Sequence, residues 1–424
     1  MSMEKNKKNV PKIRFKGFTE KWEEKEFSNT FLFLNNNTLS RAELNYESGS
    51  TKNVHYGDVL IKFGECLDIS KEELPYITNE KIANKYAHLQ DGDIIIADAA
   101  EDETVGKCTE LLNVNEQVVA GLHTIACRPL LSFANRYLGY LLNASVFHNQ
   151  LLPLMQGTKI VGISKSAIKD TLIYYPEFNE QAQIGNYFQN IDKLIEAKQS
   201  RIDKLKNIKK ACLEKMFPKK GATTPEIRFK GFSGQWEEKD IKDIGCVVTG
   251  TTPSKSEPVY WDGDFIWVTA QDMKNKYIND SILKLTNTGK LKARGIPANS
   301  ILVTCIASIG LNAINNQQCA TNQQINSIIC NIDYYHEYIY YAIESRIELL
   351  KNLAGQTAVP IINKSTFESF AIISPTSKSE QKMIGNYFQN LDNLITKNEQ
   401  QLTKLKNIKK ACLEKMFVNK EDAL

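Results

Sequence analysis

One long stretch of this chain occurs twice. IGNYFQNIDKLIEAKQSRIDKLKNIKKACLEKMF at 184–217 returns as IGNYFQNLDNLITKNEQQLTKLKNIKKACLEKMF at 384–417, with 24 of 34 positions identical. A shorter pair precedes each half, PKIRFKGFTEKWEEKEF at 11–27 and PEIRFKGFSGQWEEKDI at 225–241. The chain is therefore a tandem duplication, and whatever frame one half builds the other must build too. PKKGATTP at 218–225 joins the halves as a breaker-rich linker.

The long repeated element reads as a helix. Ile184, Phe188, Ile191, Ile195, Ile202, Leu205, Ile208, Cys212 and Met216 step by threes and fours with one gap, and the second copy repeats the seam at Ile384, Phe388, Leu391, Ile395, Leu402, Leu405, Ile408, Cys412 and Met416. Neither stretch holds a proline, and Ser377 with Glu380 has capping-box spacing. At 1.5 Å per residue such helices reach about 50 Å, and so narrow an apolar seam seeks a partner helix, the nearest being its own duplicate. The gap falls at Lys198 and Asn398. A polar residue there either sets register or reaches solvent past the seam edge.

Between the repeats lie two segments, 28–183 and 242–383, that differ strongly yet carry landmarks in one order. NNNTLSR at 35–41 stands where TGTTPSK stands at 249–255; DGDIIIA at 91–97 where ANSILVT stands at 298–304; AGLHTIACRP at 120–129 where TNQQINSIICN stands at 321–331; and GTKIVGISKSAIKD at 157–170 where GQTAVPIINKSTFES stands at 355–369. Ile94–Ile96, Ile301–Val303 and Ile328–Ile329 read as strands, and YLGYLLNASVFHNQLL and YIYYAIESRIELL as helices, so both segments read as mixed α/β modules sharing a fold.

Catalytic equipment is missing from the pattern. No GxxxxGK[ST] loop cradles nucleotide phosphates, no HExxH or Cys/His cluster offers metal ligands, no Gly-x-Gly turn suits a nucleotide cofactor, and no two prolines are adjacent as in the loop that grips a flipped adenine in amino-methyltransferases. Glu101, Asp102 and Glu103 read as a solvated acidic loop rather than a metal site. The nine cysteines form no CxxC pair and read as reduced thiols. No window is apolar enough for a membrane span and MSMEKNKKNV carries no secretory pattern, so the expected location is cytoplasmic. Charge is unevenly placed: residues 19–183 carry 14 basic against 23 acidic side chains, while 184–220 carry 10 against 4.

The duplicated frame, the blocks LIYYPEFNEQAQIGNYFQNIDKLI and AIISPTSKSEQKMIGNYFQNLDNLI, and the opening TGTTPSKSEPVYWDGDFIWVTAQDM at 249–273 together resemble the specificity subunit of type I restriction–modification systems over essentially the whole chain. The fold this implies is α+β: two α/β target-recognition domains separated by two long antiparallel helices forming a coiled coil, in a pseudo-twofold tandem repeat. The expected division is an N-terminal repeated segment (1–27), a first target-recognition domain (28–183), a first spacer helix (184–217), a linker with the second copy of the N-terminal segment (218–241), a second target-recognition domain (242–383), a second spacer helix (384–417) and a tail (418–424). The resemblance further implies a non-catalytic subunit that reads a bipartite, asymmetric double-stranded DNA site, with two adenine methyltransferase subunits and the restriction and motor subunits as partners. S-adenosylmethionine, ATP and magnesium are expected on those partners and no cofactor or metal on this chain.

Base contacts are expected from polar loops, Arg and Lys suiting guanine, Asn and Gln suiting adenine. The candidates are Asn36, Asn37, Arg41, His123, Lys159 and Lys165 in the first module, and Thr251, Ser254, Lys255, Gln271, Asn322, Gln323, Gln324 and Gln356 in the second. The lysines of KLKNIKK, Lys204, Lys206, Lys209 and Lys210 with their copies, fit either phosphate or a plain solvated helix face. A reading from another class keeps the helices and changes the modules: a coiled-coil assembly adaptor with two peptide-binding α/β modules. A self-contained methyltransferase–nuclease is a third, and the missing catalytic loops count against it.

Overall fold

Each copy of the repeated long element is one unbroken helix: α1, Phe178–Lys215, and α2, Lys378–Lys415. The computed structural model describes residues 9–83, 85–219, 221–354 and 359–419. Both helices start six residues ahead of the expected 184 and 384, because their first turns are polar and escape apolar periodicity. Gln181 accepts from the Ala134 amide at 3.0 Å and donates to the Pro176 carbonyl at 2.7 Å. Gln381 does the same with the Tyr335 amide at 2.8 Å and the Pro375 carbonyl at 3.1 Å.

At the other end the repeated IRFKGF segment explains itself. The Ile13 amide donates to the carbonyl of Lys415 and the Ile227 amide to that of Lys215, both at 2.9 Å, satisfying a terminal carbonyl that an α-helix leaves open. Trp22 then meets Phe417, and Trp236 meets Phe217, edge-on at 6.4 Å.

The chain divides into two compact units, one of the described residues up to Lys198 together with those from Gln401, the other Gln199–Gln400. Each unit thus contains the first half of one long helix and the second half of the other, a division that cuts across the expected spacer boundaries. In the first unit the two halves pack antiparallel: Tyr187 meets Cys412 at 3.4 Å, Asp192 meets Lys409 at 2.7 Å and Lys198 meets Gln401 at 2.6 Å. In the second, Tyr387 meets Cys212 at 3.4 Å, Asp392 meets Lys209 at 2.8 Å and Glu399 meets Lys206 at 2.7 Å.

The same architecture is built on each frame. The first unit has a five-stranded sheet in the order Phe31–Leu34, Thr124–Pro129, Ile94–Ala97, Cys108–Leu112, Cys66–Asp68; the second has Gly245–Thr249, Ile325–Cys330, Ile301–Thr304, Asn312–Asn315, Tyr277–Ile278. Every neighbouring pair is antiparallel except the last in each sheet. A second, four-stranded sheet contains a parallel pair in each unit, Thr51–Val54 with Gln117–Ala120 at the sheet edge in the first and Trp261–Val268 with Cys319–Thr321 at the sheet centre in the second. A two-stranded ladder closes each unit, Glu23–Glu26 on Leu172–Tyr175 and Glu237–Asp240 on Ala371–Ser374, which accounts for the repeated WEEK.

Two expected helices are each broken in two. Residues 137–151 form Tyr137–Asn143 and Ser145–Leu151, split at Ala144, whose backbone is extended. There the Asn143 side chain turns away to bond the Cys108 amide and carbonyl. His336–Ser345 and Ile347–Asn352 split at Arg346, whose guanidinium donates to the Ala371 carbonyl at 2.6 Å.

Along the seam Ile184, Phe188, Ile191, Ile202, Ile384, Phe388, Leu391, Ile395 and Leu402 are buried, and Ile195, Leu205 and Leu405 half-buried. Ile208 and Ile408 leave it, at 46% and 37% exposed, because the stripe at that level is taken by Lys209 and Lys409, drawn inward by Asp392 and by Asp192 and Glu65. The equivalent gap residues behave differently: Asn398 is buried and donates to the Leu394 carbonyl at 2.7 Å, whereas Lys198 is half-exposed. All nine cysteines are free, and burial pushes several thiols up, Cys319 and Cys330 to about 12. Among the described residues no helix is long and apolar enough to cross a membrane.

Candidate nucleic-acid interface

Asn36, Asn37, Arg41 and His123 of the first unit, and Thr251, Ser254, Lys255, Asn322, Gln323 and Gln324 of the second, fall where the two sheets of each unit end, at two loops that the register makes equivalent. In the first unit the Asn37 amide donates to the Ala120 carbonyl at 2.9 Å and the Gly121 amide to Val54; in the second, Thr251 donates to Thr321 at 2.8 Å and Asn322 to Val268. Arg41 thereby corresponds to Lys255 and His123 to Gln324. Asn36 and Gly121 correspond to Gly250 and Asn322, an exchange with a steric cause. A Cβ on Gly121 would lie 2.7 Å from the Asn53 amide and the Val54 carbonyl, and one on Gly250 would lie 2.1 Å from the Asn322 carbonyl. One glycine per pair of loops lets the chains approach, and the partner position is free to carry an amide.

Around Gly121 the structure gathers Asn36, Asn37 and His123. Asn36 donates to the Gly121 carbonyl at 3.3 Å. Asn37 is fully buried, donating to Asn53 at 2.6 Å and accepting from the Leu39 amide at 3.1 Å, so its amide is consumed in shaping the loop and it is withdrawn as a base contact. Arg41 pairs with Asp58 at 2.7 Å while its guanidinium stays half-exposed. His123 adopts φ 54°, a region unfavourable to side chains with a Cβ, with Nδ1 3.3 Å from Asp98 and the ring edge-on to Tyr56 at 5.2 Å. Burial raises the Asp98 carboxyl and lowers the His55 imidazole, whose ring lies 4.6 Å from that of Tyr56. Lys165 donates to the Leu34 carbonyl at 2.9 Å, which leaves its ammonium partly spent. Lys159 is exposed in the turn before Val161–Gly162, joined to none of these.

In the second unit Thr252, Lys255, Gln271, Asn322, Gln323 and Gln324 line one cavity of about 570 Å³, floored by Trp267 and rimmed by Ile282 and Leu283. Two candidates serve the loop instead. The Thr251 hydroxyl accepts from the Arg294 amide at 3.0 Å, and its carbonyl from Trp267 Nε1 at 2.9 Å; the Ser254 carbonyl accepts from Trp261 Nε1 at 3.0 Å. Gln356 lies outside the described residues. Sequence reading missed Arg294, Tyr56 and Ile282. Arg294 had a signal in its chemistry but no local motif, and Ile282 is an isolated aliphatic.

The acidic run at 101–103 is an exposed turn in which Asp102 accepts from both the amide and hydroxyl of Thr104, hydrogen bonds that lower its carboxyl. Among the described residues no group of three or more His, Cys, Asp or Glu is arranged to hold a metal ion.

The family profile described as type I restriction modification DNA specificity domain matches residues 5–207 and again 233–407. The chain belongs to that family. Among its curated relatives is the type I restriction enzyme HindI specificity subunit of Haemophilus influenzae, 33% identical over 183 residues, 41% of this chain and 39% of that one. The MjaIX specificity subunit of Methanocaldococcus jannaschii is 32% identical over 193 residues, 44% of each chain. These matches span about two fifths of the relatives' length. A crystal structure of the S subunit from M. genitalium shares the fold of this specificity-family member, with TM-score 0.61 over 97% of this chain and 99% of that one at 14% identity.

Proposed function

We propose that this chain is a non-catalytic subunit that reads a bipartite, asymmetric DNA sequence and directs adenine methylation and restriction by partner subunits. One observation carries the reading: the five-stranded sheets of the two units share one strand order while their equivalent loops carry different polar side chains, Arg41 and His123 against Lys255 and Gln324. A shared frame bearing unlike readers suits an asymmetric target better than a palindromic one. In this reading the long helices fix the spacing of the half-sites. The partners are two methyltransferase subunits, which bring S-adenosylmethionine, and restriction and motor subunits, which use ATP and magnesium.

The first head is acidic in bulk, so its phosphate contacts come from local cations or from the partners rather than from net charge. The test is to co-express the chain with a type I methyltransferase subunit from the same genome and map modified adenines by single-molecule sequencing. One discontinuous motif with unspecified central bases is expected; a continuous motif, or none, overturns the proposal. DNA affinity of the complex should fall steeply with added salt, whereas a peptide-binding adaptor would hold no DNA at any salt.

A further inference from the structure

We propose that the second unit reads an A·T base pair in the major groove, with Gln271 contacting the adenine and Ile282 the thymine methyl. The inference deepens the DNA-reading function proposed above and rests on it. In the major groove an A·T pair shows an acceptor and a donor on adenine, which an amide matches with two hydrogen bonds, and on thymine an acceptor beside a methyl group, which an aliphatic side chain covers. The cavity near Trp267 offers that combination. Gln271, Asn322, Gln323 and Gln324 supply amides, Ile282 is 67% exposed on the rim, and among the described residues Lys255 is the one cation lining it.

The four amides are not alike. The Thr252 hydroxyl donates to the Gln323 carbonyl oxygen, and Asn322 donates to that of Gln324 at 3.0 Å, so both glutamines are oriented by neighbours. Gln271 is exposed with neither end of its amide engaged by the described residues, which leaves it able to accept and donate together. Its position is nevertheless fixed. It lies in the single turn Ala270–Asp272, where one Asp272 oxygen accepts from the amide and hydroxyl of Thr269, at 2.7 and 2.8 Å, while the other accepts from the Ile282 amide at 2.8 Å. One carboxylate therefore holds the amide reader and the aliphatic contact in a single rigid piece. An exposed isoleucine on a polar rim is costly in water, and burial against a thymine methyl recovers that apolar surface.

The experiment selects bound duplexes from a randomised double-stranded DNA library, using the full chain assembled with its methyltransferase subunit. Wild type yields two half-sites. Gln271→Ala and Ile282→Ser, both at exposed positions, each relax the same A·T position of one half-site and leave the other half-site as sharp as before, with discrimination there falling about five- to a hundredfold. In the selected duplex, replacing that thymine by deoxyuridine weakens wild type several-fold and the Ile282→Ser variant not at all. A sharp motif that neither variant alters, or relaxation at a G·C position, overturns this assignment while the DNA-reading function stands. A library yielding no motif with wild type overturns both.

Discussion

Arg14 grips Glu180 through two hydrogen bonds of 2.7 Å, and Arg228 grips Glu380 in the same way at 2.7 and 2.8 Å. Each guanidinium comes from an IRFKGF segment and each carboxylate from the first turn of a long helix, where the helix dipole also favours a negative charge. The glutamate side chains are 1% exposed, so these are buried pairs whose net worth depends on both partners being present. The repeated segment is thus a clasp that spans the two helices of its unit, taking the last carbonyl of one through its isoleucine and the first turn of the other through its arginine.

Removing one side of that clasp strands a buried carboxylate. Arg14→Ala or Arg228→Ala should destabilise its own unit by about 3–5 kcal/mol, read by chemical denaturation. The pairs are equivalent, so the two variants should lose similar amounts. A loss below about 1 kcal/mol in both would mean that the clasp contributes nothing beyond a surface ion pair.

Glu110 gives the first unit a pH dependence. Its carboxylate accepts from the Arg136 amide at 2.5 Å and the Gly139 amide at 2.8 Å, yet burial outweighs these bonds and pushes the carboxyl up to about 7. The folded state then holds a proton that the unfolded chain releases near 4.5, so this contribution is complete below about pH 4.5 and is lost as pH rises toward 7. Its span is up to about 3 kcal/mol. Glu110→Gln should flatten that slope whatever it does to absolute stability. A wild-type slope retained in the variant would place the titrating group elsewhere.

The duplication and the helices were legible because both rest on patterns the sequence displays, identity at a fixed offset and a 3.6-residue period. Helix starts were not, since Glu180, Gln181, Glu380 and Gln381 are buried by tertiary hydrogen bonds that no hydropathy pattern reveals. The equivalence of the candidate loops was legible in landmark order, yet which side chain stays available was hidden. Asn37 and Thr251 occupy equivalent loop positions and both are spent on backbone amides, of Leu39 and of Arg294, while Gln271, six strands away in sequence from Gln323, shares its cavity. Ile282 carried no signal because an exposed aliphatic has meaning only beside the amides it adjoins.

Arg41 provides the test of the first head. Its guanidinium is held by Asp58 at one nitrogen and stays half-exposed at the position equivalent to Lys255. Arg41→Ala should relax the first half-site by about 1–3 kcal/mol of base discrimination and leave the second unchanged, measured by binding to duplexes altered one base pair at a time. Asp58→Asn, which weakens the anchor and keeps the arginine, should lose less. Equal loss at both half-sites would mean that Arg41 acts on the phosphate backbone or on folding rather than on a base.

The helices provide the test of the spacing. Deleting residues 196–202 together with the equivalent 396–402 removes one seam period from each helix, and because the deletions are matched the antiparallel pairs Asp192 with Lys409 and Asp392 with Lys209 keep their partners. Seven residues shorten a helix by about 10 Å, which is about three base pairs of B-DNA at 3.4 Å each. The modified motif should therefore keep both half-sites while its unspecified centre contracts by about three base pairs, or methylation should cease where the shorter spacing turns the half-sites out of phase with the readers. Methylation continuing at the original motif with its original spacing would mean that the helices hold partners and measure nothing.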